Sequence, residues 1–296
     1  MQKKNISQGI TLSVNETGHK IVSVEHTKYE EGIKIAKKLF CDGFYLQCDS
    51  FANDKNLILD FSLLNEIKNL QYLAIGPNIN FSKNQKIPPL YKLSKLTSLS
   101  LHIKNLCIDL VHFPNLSSLN ITFSKSISNF NTLSELQFLW LWHIKFENLE
   151  FLGNIENLKE IKIQLSNIQN LNGLENLKNL ETIKLIRCTK LVDLAIINNA
   201  KKIRTLSLMH CKGITDFSFL KNNTSIETLS ADEIKSLSFL QKVPTLSSIG
   251  FSNLEDGDIT SVITLPTVKK ISFYPNKKHY SHTNEQVQKL LNEKEI

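Results

Sequence analysis

The sequence predicts an α/β solenoid: a right-handed coil with parallel β-strands on its concave face, short helical or 3-10 segments on its convex face, and a cap at each end. Three observations carry this reading. First, one seven-residue phrase, apolar at its second, fifth and seventh positions, recurs ten times: NLQYLAI (69–75), KLTSLSL (95–101), NLSSLNI (115–121), ELQFLWL (135–141), NLKEIKI (157–163), NLETIKL (179–185), KIRTLSL (202–208), SIETLSA (225–231), TLSSIGF (245–251) and TVKKISF (267–273). Second, successive copies lie 20 to 26 residues apart, a period that marks stacked repeats rather than a globular core. Third, each phrase ends apolar–polar–apolar, the alternation of a strand with one buried face.

Apolar residues at steps of three or four precede most phrases, as in NLNGLENLKNL (170–180) and DFSFLKNNTSI (216–226). Each reads as a short helical turn opened by a capping side chain: Asp60, Asn148, Asn170, Asp193, Asp216, Ser236 or Asp258. So short a unit has no room for long α-helices. Successive strands run in the same direction through right-handed crossovers, and no repeat buries its apolar face until a neighbour stacks on it.

In chain order, residues 9–26 read as a hairpin around the polar turn NETGHK, and residues 28–43 as an amphipathic helix stopped by Gly43. Together, residues 1–42 form the predicted amino-terminal cap over the open end of the leucine column. GFYLQC (43–48) reads as a degenerate first strand, followed by a polar insertion at 50–56. The solenoid is expected over 43–275 as one elongated body, and residues 276–296 as a carboxy-terminal cap with a charged helical tail.

The phrase resembles the leucine-rich repeat pattern L-x-x-L-x-L-x-x-N/C-x-L over residues 43–275. Departures are local. Ser166, Cys188 and Cys211 fill the slot that is often Asn, Ala231 replaces a core leucine, and the 26-residue step around Pro88 and Pro89 carries an insertion. The resemblance implies a concave face that binds another protein. The amino-terminal helix, GFYLQC, an Asp256-Gly257-Asp258 turn and a closing His279-Tyr280-Ser281-His282 also resemble bacterial leucine-rich repeat immunity-type proteins encoded beside toxins.

Composition points the same way. The formal charge is +7, from 35 Lys and Arg against 28 Asp and Glu, but the lysines fall mostly in turns and helical segments such as Lys201-Lys202 and Lys277-Lys278. That reads as a solvated outer surface rather than a nucleic-acid face. No apolar run approaches the about 20 residues of a membrane span, and the amino terminus lacks a signal-peptide core, so the expected location is cytoplasmic. The five cysteines include no C-x-x-C pair, and Cys188 and Cys211 read as buried thiols bonded to backbone. His279 and His282 lack the further ligands of a metal site. No phosphate loop, nucleophile elbow or H-E-x-x-H occurs. The expectation is therefore a non-enzymatic protein without a cofactor, metal or small-molecule substrate.

Counting along the phrases gives the outward positions, mostly small and polar except at the centre. Strand alternation sends Phe138, Trp140 and Trp142 to the concave face, with His143, Glu160, Lys162, Gln164, Lys184, Ile186, Arg187, Met209 and His210 around them. These twelve are the candidate partner-binding residues, because interface hot spots are enriched in aromatic and Arg side chains. Two readings of the aromatic rings stay open beside this one: shields lying flat on neighbouring strands, and a platform on which a sugar stacks. The expected partner is a protein with an acidic surface. Its most concrete form is a toxin neutralised by an immunity protein; the alternatives are an internalin-like adhesin or host-directed effector, and an intracellular scaffold.

Overall fold

The computed structural model describes residues 2–48 and 56–293, and the chain forms two compact units, residues 1–141 and 142–296. Of the polar insertion predicted at 50–56, all but Asn56 lies outside the described residues.

The first unit contains β1 (Gln2–Ser7), β2 (Ile10–Val14), β3 (Lys20–Glu25), α1 (Tyr29–Lys38), β4 (Gly43–Gln47), β5 (Tyr72–Ile75), β6 (Ser98–Leu101), β7 (Ile108–Asp109), β8 (Ser118–Thr122) and β9 (Ile127–Ser128). β1, β2 and β3 pair antiparallel, and from β3 the sheet continues parallel through β4, β5, β6 and β8. Register stacks two apolar columns, Val22–Phe44–Leu73–Leu99–Leu119 and Val24–Leu46–Ile75–Leu101–Ile121, all buried. α1 buries Tyr29, Ile33 and Ala36 and packs so closely that a Cβ at Gly32 would fall 2.5 Å from Val24 Cγ2. Two elements were not anticipated. β1 is a polar edge strand without an apolar face, and β7 and β9 form a separate parallel pair only two residues long. Backbone pairing holds both, and it leaves no hydrophobic period to read.

β10 (Phe138–Trp142) begins in the first unit and ends in the second. The second unit continues with β11 (Glu160–Gln164), β12 (Thr182–Ile186), β13 (Thr205–Met209), β14 (Thr228–Ile234), β15 (Ser248–Leu254), α2 (Thr260–Thr264), β16 (Lys270–Phe273) and α3 (Asn284–Glu293). β11 to β16 pair parallel in sequence order. Their columns are Ile161–Ile183–Leu206–Leu229–Ile249–Ile271 and Ile163–Leu185–Leu208–Ala231–Phe251–Phe273, all buried. The fold is the leucine-rich repeat solenoid the period predicts.

Most crossovers are 3-10 segments, among them Phe61–Glu66, Leu174–Asn176, Ala195–Asn199 and Ser218–Leu220. A 3-10 turn advances about 2.0 Å per residue against 1.5 Å for an α-helix, so it spans the return path with fewer residues. All seven predicted capping side chains accept a backbone N–H two residues on. The donors are Ser62 to Asp60 (2.9 Å), Glu150 to Asn148 (3.2 Å), Asn172 to Asn170 (3.0 Å), Ala195 to Asp193 (2.8 Å), Ser218 to Asp216 (2.8 Å), Ser238 to Ser236 (3.2 Å) and Thr260 to Asp258 (2.9 Å). The insertion near Pro88 and Pro89 ends in a 3-10 segment that these prolines open. There the Gln85 side-chain amide brackets Leu59, accepting its N–H at 2.8 Å and donating to its carbonyl at 2.9 Å, in place of a strand neighbour.

The open edge of β16 is closed by α3. Asn284 Nδ2 donates to the Phe273 carbonyl (3.0 Å) and Gln288 Nε2 to that of Ile271 (2.7 Å), which stops the exposed strand from pairing with another chain. The two terminal motifs meet here: Ser281 N–H donates to the Gly257 carbonyl (2.9 Å), Ile259 N–H to Ser281 Oγ (3.0 Å) and Leu254 N–H to the Tyr280 hydroxyl (3.0 Å). His279 Nε2 lies 3.0 Å from the Leu254 carbonyl. Asp256-Gly257-Asp258 and His279-Tyr280-Ser281-His282 thus form one cap, and Tyr280 packs edge-on against the stacked rings of Phe251 and Phe273.

Two stability predictions follow from these bonds. Buried Asn223 Oδ1 accepts from Ser225 N–H (2.9 Å) and Ile226 N–H (2.8 Å), and its Nδ2 donates to Asn198 Oδ1 (2.9 Å). Asn223→Ala strands these partners and is expected to cost about 2 kcal/mol, read as a lower urea midpoint at unchanged slope. The caps add an acid limb. The Ser62 hydroxyl and N–H hold Asp60 below the usual carboxyl range, the Asn129 amide and Val111 N–H do so for Asp109, the Ser218 N–H and hydroxyl for Asp216, and the Thr260 hydroxyl and N–H for Asp258. A carboxyl depressed by folding stabilises the fold above its unfolded value, near 4, and loses that contribution as pH falls through the folded one. Urea midpoints are expected to drop below about pH 4, and Asp216→Ala should flatten that drop while lowering the neutral-pH midpoint.

Candidate binding face

The alternation that buries the columns turns the other residues of β11, β12 and β13 outward as one surface. Glu160, Lys162, Gln164, Lys184 and Ile186 are partly buried there, while Met209, Arg187 and His210 are exposed. Lys162 and Lys184 are direct register partners, and so are Gln164 and Ile186, and Ile186 and Met209. Lys184 reaches diagonally to Glu160, with Nζ 2.8 Å from Oε1. Burial, then the nearby Lys184 ammonium, holds Lys162 below the usual lysine range, with Glu160 acting in the opposite sense. The face therefore carries its positive charges close together and partly desolvated.

Beyond the strands the backbone repeats an uncommon conformation. His143, Leu165, Arg187 and His210 all adopt left-handed φ, at 61°, 53°, 54° and 55°. Non-glycine residues enter this region at a cost of about 1–2 kcal/mol each. Here an added ladder bond offsets it: His143 N–H donates to the Gln164 carbonyl (3.0 Å), Leu165 N–H to that of Ile186 (2.9 Å), and Arg187 N–H to that of Met209 (2.8 Å). The kink also turns the following residue inward. Ser166 Oγ accepts from Ile144 N–H at 3.0 Å and donates to the Gln164 carbonyl at 2.9 Å, while Cys188 and Cys211 lie 3.5–3.8 Å from backbone carbonyls of their own and the preceding coil. Both thiols are buried, and the neighbouring Cys211 thiol, together with burial, pushes the Cys188 thiol up. At His210 the ladder ends differently, on a side chain. The Asp232 carboxylate accepts the His210 N–H, and His210 Nδ1 lies 3.1 Å from Asp232 Oδ2.

Of the twelve candidate residues, ten lie in the second unit. Eight of these are on or just past β11, β12 and β13, and Trp142 and His143 sit at the end of β10, their ring centroids 6.5 Å apart. Phe138 and Trp140 belong to the first unit, Phe138 exposed and Trp140 partly buried. Sequence reasoning missed Asp232 as the partner of His210; its place one residue past the phrase SIETLSA gave no hint that it replaces a carbonyl. It also missed the left-handed row, because none of the four positions is glycine. Among the described residues no group of three or more His, Cys, Asp or Glu side chains is placed to hold a metal, and no helix is long and apolar enough to cross a membrane.

Comparison with known proteins agrees with this architecture. Residues 149–271 match the family model described as the endo-beta-N-acetylglucosaminidase EndoS LRR domain. In structure the chain is similar to an internalin, InlF, from Listeria monocytogenes, at 17% identity and a TM-score of 0.54, over 89% of this chain and 85% of that one. It is also similar to a leucine-rich repeat protein from Leptospira interrogans (18% identity, TM-score 0.43, 86% and 82% covered) and to the functional domain of InlJ from Listeria monocytogenes (15%, 0.48, 77% and 56%). No curated protein matches the chain by sequence. Residues 149–271 thus match a leucine-rich repeat model, and the chain shares the leucine-rich repeat fold.

The face and the scaffold make separable contributions to stability. Both partners of the Glu160–Lys184 pair remain substantially solvated, so Glu160→Gln is expected to change the unfolding free energy by less than about 1 kcal/mol. Urea melts of this variant beside Asn223→Ala would show the contrast.

Proposed function

We propose that the chain is a non-catalytic binding module that holds a protein partner against the outward face of β11, β12 and β13. The observation that carries this is the surface itself. Lys162, Lys184, Ile186 and Met209 project from three strands in continuous register, with Arg187 held just past β12 by its N–H bond to the Met209 carbonyl, so their backbones are fixed before any partner arrives. Rigid presentation lowers the entropy lost on association. The side chains combine an apolar strip, Ile186 and Met209, with clustered cations, a composition complementary to an acidic protein surface. Trp142 and His143 extend it as the aromatic anchor that hot-spot statistics favour.

The most specific form of this reading is a bacterial immunity protein that neutralises a toxin by occluding it. What supports it is the likeness of the chain's ends to that group, of which the Asp256-Gly257-Asp258 turn and the His279-Tyr280-Ser281-His282 segment meet in one carboxy-terminal cap through Ser281 N–H and the Gly257 carbonyl. The fold shared with InlF favours the internalin-like alternative, an adhesin or host-directed effector, and an intracellular scaffold is the remaining alternative. An immunity protein acts in the cytoplasm; an adhesin acts outside it.

Affinity capture from the native cell tests the module and its partner together. The wild-type chain is expected to retain one stoichiometric protein, and Trp142→Ala or Lys184→Glu to weaken retention about thirtyfold at unchanged melting temperature. If both variants capture the partner as wild type does, the face is wrongly assigned. Rescue of growth when the captured protein is expressed with this chain supports immunity; a harmless captured protein removes it.

A further inference from the structure

The caps of the return segments form a row of their own. From β12 onward they run Asp193, Asp216, Ser236 and Asp258, each accepting a backbone N–H two residues on. One carboxylate is therefore missing from the row, at the return that leads into β15.

Three lysines gather at that gap. Lys221 follows the 3-10 segment Ser218–Leu220, Lys242 closes the next one, Ser238–Lys242, and Lys235 precedes its cap. All three line a surface hollow of about 470 Å³ between the two returns. Backbone bonds from one return to the next fix where they stand: Lys235 N–H donates to the Thr215 carbonyl (2.8 Å), and Asn222 N–H to the Lys242 carbonyl (2.8 Å).

The hollow has a definite sign. Among the described residues no ion pair engages Lys221, Lys235 or Lys242, and all three are exposed. The carboxylate in the lining is Asp216, whose Oδ1 accepts the Ser218 N–H of its own turn at 2.8 Å. Asp256, whose N–H bonds to the Lys235 carbonyl at 3.2 Å, gives its Oδ1 to the Asp258 N–H (3.1 Å) and does not line the hollow. Three ammonium groups against one carboxylate repel one another until an anion joins them. The Ser238 hydroxyl lines the same space and adds a neutral donor.

The geometry points to a binding site for a diphosphate group. A monoanion would leave the three ammonium groups undercompensated, whereas two linked phosphoryl units bring several negative charges and enough acceptor oxygens for the lysines and the Ser238 hydroxyl together. At about 470 Å³ the hollow falls within the range of small-molecule sites, roughly 300–1,000 Å³. It is built from returns rather than strands, and it stands whether or not the β11–β13 face binds a partner.

Isothermal titration calorimetry of the whole chain with inorganic pyrophosphate tests it, with ADP as a second probe that carries the same group on a nucleoside. Pyrophosphate is expected to saturate one site with a dissociation constant of about 1 mM or below at low salt, and to bind more weakly as sodium chloride is added. ADP binding tighter than pyrophosphate assigns the diphosphate of a larger molecule; ADP binding no tighter assigns the free anion. Two variants keep a capping side chain and change the charge. Ser236→Asp, which restores the missing carboxylate, should weaken pyrophosphate at least about tenfold without lowering the melting temperature, and Asp216→Asn should tighten it several-fold. Lys221→Gln with Lys242→Gln should abolish saturable binding. Absence of a saturable site, or wild-type affinity in Ser236→Asp or in the double lysine variant, overturns the proposal. Should Ser236→Asp fail to fold, the double lysine variant decides.

Discussion

Register between neighbouring coils is the constraint on which everything else depends. Each strand contributes two inward side chains, and because Ile161, Ile183, Leu206, Leu229, Ile249 and Ile271 are successive register partners, every buried residue is covered by residues one coil away. A slip of one residue would turn the whole apolar set to solvent. Side-chain bonds in the returns hold the coil length. Asp, Asn and Ser caps start several of the helical turns, and Ser166, Cys188 and Cys211 bond back to strand carbonyls where the chain leaves the sheet. The ends of the fold follow from the same constraint, since a column must finish somewhere: α1 closes over Val24, and α3 closes over the edge of β16.

This is why so much of the architecture was legible in the sequence. A buried position in a solenoid is constrained by its neighbours above and below, so apolarity repeats at a fixed spacing, and capping residues repeat because every return has the same geometry. Legibility ends where backbone alone does the work. β1 has no apolar alternation because it pairs through its main chain, and the left-handed row carries His, Leu and Arg because a ladder bond, rather than glycine, makes that conformation tolerable. Gln85 imitating a strand neighbour for Leu59 leaves no pattern either, since a single amide reads as any surface residue.

The candidate face is harder to read for the opposite reason. The outward side chains of β11, β12 and β13 are excused from packing, so no structural rule specifies them and no period reveals them. Their parity was readable from the strands, and all lie on the outward face. The interactions among them were not: Lys184 reaches past its register partner Lys162 to Glu160, a choice fixed by charge and side-chain length. That freedom is what suits such a surface to recognition, because residues that support nothing can change partner without unfolding the coil.

Ala231 shows how the two kinds of position meet. It belongs to the buried column, where the rule demands a large apolar side chain, and it breaks that rule at the coil where the left-handed row ends and Asp232 takes the place of a carbonyl. Any one of these departures reads as drift within a repeat. Their coincidence at a single junction argues otherwise, because a small side chain contributes less apolar burial to the stack, and the longer strands of β14 and β15 together with the His210–Asp232 link add pairing between the coils there. A scaffold that meets its own packing rule elsewhere in the β11–β16 columns, and adds backbone pairing at the one place where it does not, makes up in hydrogen bonds part of what the small side chain gives up in burial.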